Sequence, residues 1–322
     1  MKIYPINDAN LPVSQAYRPQ LERFFQGGNI YVVEAAGDYA GLPQPILDLL
    51  KGRTSTAFLK SPSFYPMYYK GLLAKFLVHP ETDLTTMTID SNGTTAAGVS
   101  STVGKANRVY SIPGAIVSRI EPTDTPVAHG YRGEIFSPTL YAQKLAFGTP
   151  YNIAVGLKLC SWDFISSPST RMIIFQVRQT EDPGDYSGIP PLFLSVVGSK
   201  FRISYAYNEA AITTGPVTER ILYEFDAISD QWVYFCFRAI FSYTGQGYLD
   251  AYVNGSLVGR YDGSLGYNDK LGNFAKMGCY DGAGDGFPSG VASREIHYKG
   301  CILIEEKAGY SLPDMYADLQ AV

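Results

Sequence analysis

The sequence predicts an all-β fold in which short strands pack into two sheets. Its 322 residues include 25 Tyr, 17 Phe, 32 Gly and 20 Pro, a composition that favours aromatic-rich strands interrupted by turns. From about Thr54 onward, β-branched and aromatic segments of strand length alternate with turn residues, and no long helical pattern separates them. Many short strands without intervening helices favour a sandwich or barrel, and we expect a two-sheet jelly roll.

The chain divides into an N-terminal arm and a strand-rich domain. We expect residues 1–60 to form an arm or attachment segment, because polar and Pro/Gly-rich stretches surround two short helix-compatible segments, Gln20–Gln26 and Pro43–Lys51. Residues 61–322 then form the β domain. Strand patterns occur at Thr54–Lys60, Tyr68–His79, Asp83–Asp90, Tyr151–Cys160, Arg171–Gln179, Pro191–Val197, Lys200–Tyr207, Trp232–Tyr243, Gly247–Asn254, Phe274–Tyr280 and Glu295–Glu305. The strongest hairpin signal is Asn254-Gly255, between two apolar strand segments.

Composition and charge exclude several classes of partner. The net charge is −4, and no basic block could neutralise a run of phosphates, so we expect no nucleic-acid partner. No apolar run approaches the roughly 18 residues that a membrane span needs. The first twenty residues lack the apolar core of a secretory signal, which disfavours ordinary secretion.

Cofactor and metal signatures are likewise missing from the sequence. We find no phosphate loop or dinucleotide fingerprint, so we expect no cofactor and no metal. The stretch Asp281–Gly286 lacks the spacing of a calcium loop, so a turn is its main interpretation, with a calcium site as the alternative. The four cysteines show no C-x-x-C spacing and lie in strand-like stretches. Buried free thiols are the main interpretation, with a disulfide or a metal site as the alternative.

The two-residue period of a strand assigns side chains to faces in two of these segments. In Arg171–Gln179, one side receives Ile173, Phe175 and Val177, and the other receives Gln176 and Arg178. In Phe274–Tyr280, the core side receives Ala275, Met277 and Cys279, and the opposite side receives Phe274, Lys276, Gly278 and Tyr280. Arg132 and Glu134 also share a face. We expect the polar members of these sets to line one sheet face together.

Three short stretches carry a resemblance to a known family. They read Arg132-Gly-Glu134, Gln176-Val-Arg178 and Phe274-Ala-Lys276-Met-Gly278-Cys-Tyr280. In order and spacing they resemble the R-x-E, Q-x-H and Y-x-K-x-G-x-Y strands of the jelly-roll polysaccharide lyases, the group of alginate lyase, heparin lyase I and glucuronan lyase. The resemblance spans roughly Ile116 to Ile304. It implies a concanavalin A-like sandwich whose concave sheet binds an acidic polysaccharide.

The resemblance also implies a chemistry, which is β-elimination at a uronic acid. The sugar carboxylate must be neutralised, a base must remove the proton on the adjacent ring carbon, and an acid must protonate the departing oxygen. Gln176 and Arg178 are suited to neutralising the carboxylate. Arg178 presents a two-pronged hydrogen-bond donor to it, and Gln176 adds a neutral donor. Tyr280 is suited to the proton transfers. The expected substrate-binding residues are Arg132, Glu134, Lys276 and His129.

One departure from the family pattern leaves the activity open. Arg178 stands where the family has His, and arginine cannot act as a base. Either Tyr280 serves as both base and acid, or a histidine from elsewhere substitutes, with His129 nearest to a motif, or catalysis has been lost and a sugar-binding groove remains. His79 and His297 lie near no motif, and we expect structural roles for them.

Three functions therefore compete. The first is a lyase that cleaves an acidic polysaccharide. The second is a non-catalytic carbohydrate-binding or structural component of a bacteriophage particle, such as a capsid decoration, fibre or tail protein. The third is a cytosolic β sandwich without a sugar role. A phage depolymerase would need no leader, so we expect an extracellular or virion-surface location, with the arm contacting virion proteins or a second copy of the chain.

Overall fold

The computed structural model describes residues 108–112, 115–126, 130–136, 144–162, 164, 171–186, 188–281, 293–306 and 311–320, and five short strands nearer the N-terminus. These residues form β1 (Ile3–Pro5), β2 (Tyr31–Val33), β3 (Leu72–Leu77), β4 (Thr88–Ser91), β5 (Thr94–Ala97), β6 (Val109–Ile112), β7 (Ala115–Ile120), β8 (Tyr131–Phe136), β9 (Pro150–Leu159), β10 (Arg171–Gln179), β11 (Leu192–Val197), β12 (Lys200–Tyr207), β13 (Thr218–Asp226), β14 (Trp232–Ile240), β15 (Ser242–Val253), β16 (Ser256–Leu265), β17 (Asn273–Asp281), β18 (Arg294–Glu305) and the helix α1 (Leu312–Gln320). Within the described residues, no helix is long and apolar enough to cross a membrane.

Two large antiparallel sheets account for nearly all of these strands. The front sheet has the order β13-β12-β11-β10-β17-β8-β4-β5, and the back sheet has the order β16-β15-β14-β9-β18-β7-β6, with β3 also paired to β18. A separate ladder joins β1 to β2. Neighbours in each sheet are often distant in sequence, as a jelly roll requires. The predicted all-β, two-sheet architecture is confirmed.

The core lies between the two sheets and follows the predicted alternation. The back sheet contributes Ile153, Val155 and Leu157 from β9, and the front sheet contributes Ala275, Met277 and Cys279 from β17, all of them buried in one cluster. Burying a side chain of this kind stabilises the fold by roughly 1.5–3 kcal/mol. This burial fixes the face of β17 that turns away from the core, which is the face that carries Lys276 and Tyr280.

Two buried hydroxyl groups join the sheets across the core. The Tyr298 hydroxyl on β18 donates to the Ile174 carbonyl on β10 at 2.6 Å, and burial raises the pKa of this phenol. The Ser118 hydroxyl on β7 donates to the Gly133 carbonyl on β8 and accepts from the Cys279 amide on β17 at 2.8 Å. A buried polar group must be hydrogen-bonded to be tolerated, so these bonds fix the relative position of the sheets next to β8, β10 and β17.

The predicted hairpin is confirmed in its residues and its turn. β15 and β16 pair through Val253 and Ser256, and Asn254 and Gly255 have φ values of 48° and 83°. Both values lie in the left-handed region that a type I′ turn requires.

Several elements escape the sequence prediction, among them an edge strand of the front sheet, β13, and the helix α1. Strand β13 lies at the sheet edge, where none of its residues is fully buried although Leu222, Tyr223 and Phe225 pack against the core. Helix α1 follows Ser311, whose hydroxyl and amide bond to the Asp314 carboxylate at 2.6 and 3.0 Å, a capping box that the sequence does display.

The prediction for the cysteines can be compared with the structure, whereas the predicted helical segments of the arm cannot. The four cysteines are free, with Cys236, Cys279 and Cys301 buried as predicted and Cys160 only half-buried. The two helix-compatible segments of the arm, at 20–26 and 43–51, lie outside the described residues.

Candidate functional site

The outer face of the front sheet gathers five of the polar residues that the motifs single out. Gln176 on β10 lies opposite Lys276 on β17, and Tyr280 on β17 lies opposite Arg132 on β8. Glu134 on β8 lies opposite Gly278 on β17, and Gly278 lies between Lys276 and Tyr280 along that strand. The five side chains therefore form one continuous patch over three adjacent strands, which we call the front patch.

A buried carboxylate occupies the centre of the front patch. Glu134 is 1% exposed, and its Oε1 accepts a hydrogen bond from the Gln176 amide. Its Oε2 lies 3.3 Å from Arg132 Nε and 3.7 Å from Lys276 Nζ. A buried charge is tolerated only when it is paired and hydrogen-bonded, so Glu134 fixes the positions of two cations and one amide.

Tyr280 lies at the end of the front patch under a guanidinium group. The Arg132 Cζ atom is 4.1 Å from the centroid of the Tyr280 ring, within the range of a cation–π contact. Among the described residues, no hydrogen-bond partner accompanies the Tyr280 hydroxyl. The phenol ring is half-buried and is oriented by Arg132.

An irregularity of β17 places Tyr280 in this position. The register between β10 and β17 shifts between Ile173 and Phe175, so β17 carries one residue more than β10 across this step. Gly278 has a φ of 141°, and a Cβ there would collide with the Gly133 carbonyl oxygen and lie 2.6 Å from the Glu134 Cα. Only glycine fits this combination of conformation and close approach.

The same irregularity overturns one prediction of sidedness. Ile173 was expected beside Phe175 and Val177 on the core side, but it lies on the outer face, opposite Tyr280. The register of β10 with β11 also shifts here, so that Ile174 and Phe175 both enter the core. A strict period of two fails wherever one strand carries an extra residue.

Arg178, the residue at the family's histidine position, lies on the outer face but away from Tyr280. It is opposite Phe274, six residues from Tyr280 along β17, which corresponds to about 20 Å at the usual strand rise. Its NH2 atom lies 2.5 Å from Glu181 Oε1, and its NH1 atom donates to the Gly188 carbonyl at 3.3 Å. The neighbour of Tyr280 on β10 is instead the apolar Ile173.

The histidines contribute nothing to the described part of the front patch. His129 and His79 lie outside the described residues. His297 is on the outer face of the back sheet, where its Nε2 is 2.8 Å from Glu295 Oε1. Its predicted structural role stays a prediction, as does the substrate-binding role of His129.

Several outer-face residues were missed because no motif marks them. The Lys144 ammonium lies 4.2 Å from the Phe274 ring centroid, and burial lowers the pKa of that amine. Arg171 lies over the Phe193 ring at 5.5 Å and bonds both oxygens of Glu219 at 2.8 and 3.0 Å. Once β10 and β11 are placed side by side, the alternation of polar residues along them locates this extension of the outer face.

Two cavities occupy other parts of the surface. One of about 730 Å³ lies between α1 and the back sheet and is lined by Arg238, Tyr252 and Tyr316 among others. A second, of about 470 Å³, is lined by residues of β14, β15 and β16. Neither is lined by a residue of the front patch.

Comparison with known proteins agrees with the observed fold. Residues 86–300, more than half of the chain, match the family model described as polysaccharide lyase. The endo-β-1,4-glucuronan lyase of the fungus Trichoderma reesei matches with a TM-score of 0.50 and 14% identity, over 71% of this chain and 90% of that one. An alginate lyase from Pseudomonas aeruginosa matches with a TM-score of 0.45 and 17% identity, over 70% of this chain and 100% of that one. No curated protein matches the sequence.

Proposed function

The chain belongs to the polysaccharide lyase family, and from this premise we propose that it cleaves an acidic, uronate-containing polysaccharide by β-elimination on the outer face of the front sheet. The observation that carries the proposal is the convergence of Gln176, Lys276 and Arg132 on the Glu134 carboxylate, next to the half-buried Tyr280 phenol. This combination supplies donors for a sugar carboxylate and a proton carrier beside them.

Recognition of the substrate carboxylate falls to Arg132 and Gln176. The Arg132 guanidinium has five N–H donors in a planar fork, and its Nε lies close to Glu134 Oε2. The Gln176 Nε2 amide donates to Glu134, and its Oε1 atom is buried without a hydrogen-bond partner among the described residues. Neutralising the carboxylate makes the proton on the adjacent ring carbon more acidic.

Tyr280 carries both proton transfers in this proposal. Its ionised oxygen removes the proton from the ring carbon next to the carboxylate. The C–H electron pair becomes a ring double bond, and the bond to the glycosidic oxygen breaks. The departing oxygen takes the proton from Tyr280, which leaves an unsaturated uronate on one product and a new reducing end on the other. The Arg132 guanidinium over the ring holds the phenol in place for both transfers.

Arg178 takes a different role from the one that its sequence position implies. At about 20 Å from Tyr280 along the strand, it is too distant to act on the same sugar unit. We assign it to a neighbouring unit of the polysaccharide chain, several sugars away from the bond that breaks. Its catalytic role was a prediction that remains open to test.

The test is the absorbance of the unsaturated uronate near the ultraviolet edge. Wild type and Tyr280→Phe are mixed with alginate, glucuronan and heparin in parallel. We expect a rise with wild type on at least one polymer, and a loss of that rise in Tyr280→Phe. No rise on any uronate polymer, or an undiminished rise in the variant, contradicts the proposal.

A second candidate function is carbohydrate binding without catalysis, and one observation favours it. Ile173 supplies no polar atom beside Tyr280, on the strand where the family motif carries a histidine. In that case, the polymers bind but no absorbance develops. A location on a virus particle or outside a cell suits either function and stays a prediction.

A further inference from the structure

A second group of polar residues lies on the outer face of the back sheet, opposite the proposed lyase site. Cys160 directly follows β9, and its amide donates to the Glu295 carbonyl on the neighbouring β18 at 3.0 Å. Glu295 and His297 alternate on β18 with the core residues Ile296 and Tyr298, so both side chains turn outward. One thiol, one carboxylate and one imidazole are thereby placed side by side.

The distances between these side chains fit a shared metal ion. Their candidate ligand atoms all lie within 4.8 Å of one another, and each residue is half-buried. Metal–ligand bonds of about 2.0–2.3 Å place tetrahedral ligand atoms roughly 3.3–3.8 Å apart, so only small side-chain rotations are needed. Among the residues that the structure describes, this is the one group of three such side chains within that distance.

The surrounding contacts hold the group in place. The Glu295 Oε2 atom lies 3.6 Å from Arg119 NH1 and 3.5 Å from the Tyr110 hydroxyl, so Oε1 is left directed at His297 Nε2 at 2.8 Å. Asp230 accepts the amide proton of Ser161, the residue after Cys160, at 3.0 Å.

The backbone beside Cys160 adopts an uncommon conformation. Ser161 and Asp230 both have positive φ values, 47° and 62°, which are costly for residues other than glycine. The surrounding structure must hold this conformation, and it also fixes the backbone that carries the thiol.

The combination of donor types selects the class of metal. Sulfur and imidazole nitrogen are preferred by zinc and by other late divalent transition metals, whereas magnesium and calcium prefer oxygen. We propose that Cys160, Glu295 and His297 form a site for a zinc-class divalent ion, with the fourth position taken by water. Such an ion would join the end of β9 to β18 on the side of the molecule away from the front patch.

A reactive, redox-sensing cysteine is the competing interpretation of the same cluster. Burial raises the pKa of the Cys160 thiol to about 11, an effect that the nearby Lys158 reduces and Glu295 and Asp230 reinforce. A thiol of this kind is a poor nucleophile at neutral pH. A metal ion instead displaces the proton from the sulfur when it binds, so the site does not require a pre-formed thiolate.

The test is a competition titration of untagged protein with a chromophoric zinc chelator. We expect one zinc ion per chain and a loss of affinity of at least about 10-fold in Cys160→Ser and in His297→Asn. His79→Asn and His129→Asn are matched controls for binding at the other two histidines, and Tyr280→Phe is a control on the front sheet. All three controls should retain the wild-type affinity.

Cobalt supplies a readout that does not depend on any variant folding. Co²⁺ bound to wild type should give a sulfur-to-metal charge-transfer band in the near ultraviolet, because Cys160 is the predicted ligand. The proposal is overturned if this band is absent, if no zinc binds, or if zinc binds equally well to Cys160→Ser. Magnesium in excess should not displace the zinc.

Discussion

The two sheets each carry a tyrosine, an arginine and a buried aspartate or glutamate on the outer face, but they arrange them differently. On the front sheet, Arg132 stacks on Tyr280, while the Glu134 carboxylate is held by Gln176 and Lys276. On the back sheet, the Tyr248 hydroxyl donates directly to the Asp250 carboxylate.

The Tyr248 hydroxyl on the back sheet is therefore already engaged in a hydrogen bond. Arg260 bonds both oxygens of Asp250 at 2.7 and 3.0 Å. Burial and the bond to Asp250 raise the pKa of Tyr248, so it stays protonated. The Tyr280 ring of the front sheet instead lies under Arg132, and no hydrogen-bond partner of its hydroxyl is found among the described residues. The composition of a cluster does not identify a catalytic site, but the direction of its hydrogen bonds can.

The largest expected effect distinguishes these two tyrosines. Removing the proton carrier in Tyr280→Phe should lower kcat by about 10²–10⁴-fold, the usual contribution of general acid–base catalysis. Tyr248→Phe is the matched control and should leave kcat within about 2-fold, because that hydroxyl only donates to Asp250. Initial rates of absorbance change measure both. Equal losses in the two variants would remove the distinction between the sheets.

The next effect concerns the backbone under the front patch. Gly278→Ala introduces a Cβ against the Gly133 carbonyl oxygen at a φ of 141°, so we expect a free energy of unfolding lower by about 3 kcal/mol or more. Gly215→Ala is the control, since no heavy atom lies within 4 Å of the Cβ it would add. Urea unfolding monitored by circular dichroism measures both. A change below about 1 kcal/mol for Gly278→Ala would mean that β17 has a different register.

A smaller effect is expected at Arg178. Because it lies about 20 Å from Tyr280 along β17, Arg178→Ala should raise KM several-fold and leave kcat nearly unchanged. Arg178→Ala also removes the ion pair between Arg178 and Glu181, so Glu181→Gln serves as the control for the loss of that pair. A fall in kcat comparable to that of Tyr280→Phe would show that Arg178 reaches the reacting sugar, as its sequence position implies.

The smallest effects concern how stability depends on pH. Burial and the neighbouring carboxylates Asp185 and Asp182 raise the pKa of Asp269 to about 7. Its protonated form is favoured in the folded state, so its stabilisation is complete below about pH 4 and is lost as the pH rises toward 7. Asp269→Asn should therefore raise Tm more at pH 8 than at pH 5.

Asp250 makes the stability of the fold depend on pH in the opposite direction. Burial alone would raise its pKa, but hydrogen bonds from Arg260 and Tyr248 outweigh that effect and lower it. Its stabilisation is present above about pH 4 and is lost as the pH falls through the lowered value. Asp250→Asn should destabilise the protein at pH 7 and lose this effect in acid. Calorimetric scans at several pH values measure both variants, and the same sign for the two would contradict the assignment.

The sequence predicted the sandwich and all five members of the front patch, for a physical reason. Apolar alternation is strong in β9, β14 and β17 because both sheets bury one face, and the two-residue period then fixes the side of Lys276 and Tyr280. The same pattern correctly placed Gln176 opposite the core. These are local consequences of burial, and they require no knowledge of strand order.

What the sequence could not supply depends on strand pairing. The side taken by Ile173 follows from an extra residue in one strand relative to its neighbour, and no single strand reveals this. The separation of Arg178 from Tyr280 follows from the register of β10 with β17. The spacing of the motifs in the sequence is the same for every possible register of these two strands. Strand β13 was missed although it contains apolar residues, because it is an edge strand with no fully buried residue and its register with β12 shifts in the middle.

The most direct test of the account is a crystal structure of Tyr280→Phe with a bound oligouronate. The account predicts that the sugar lies on the outer face of the front sheet, with a carboxylate within hydrogen-bond distance of Arg132 and Gln176 and its adjacent ring carbon facing the position of the missing hydroxyl. An oligosaccharide bound to the back sheet, or one whose carboxylates all lie closer to Arg178 than to Arg132, would contradict it.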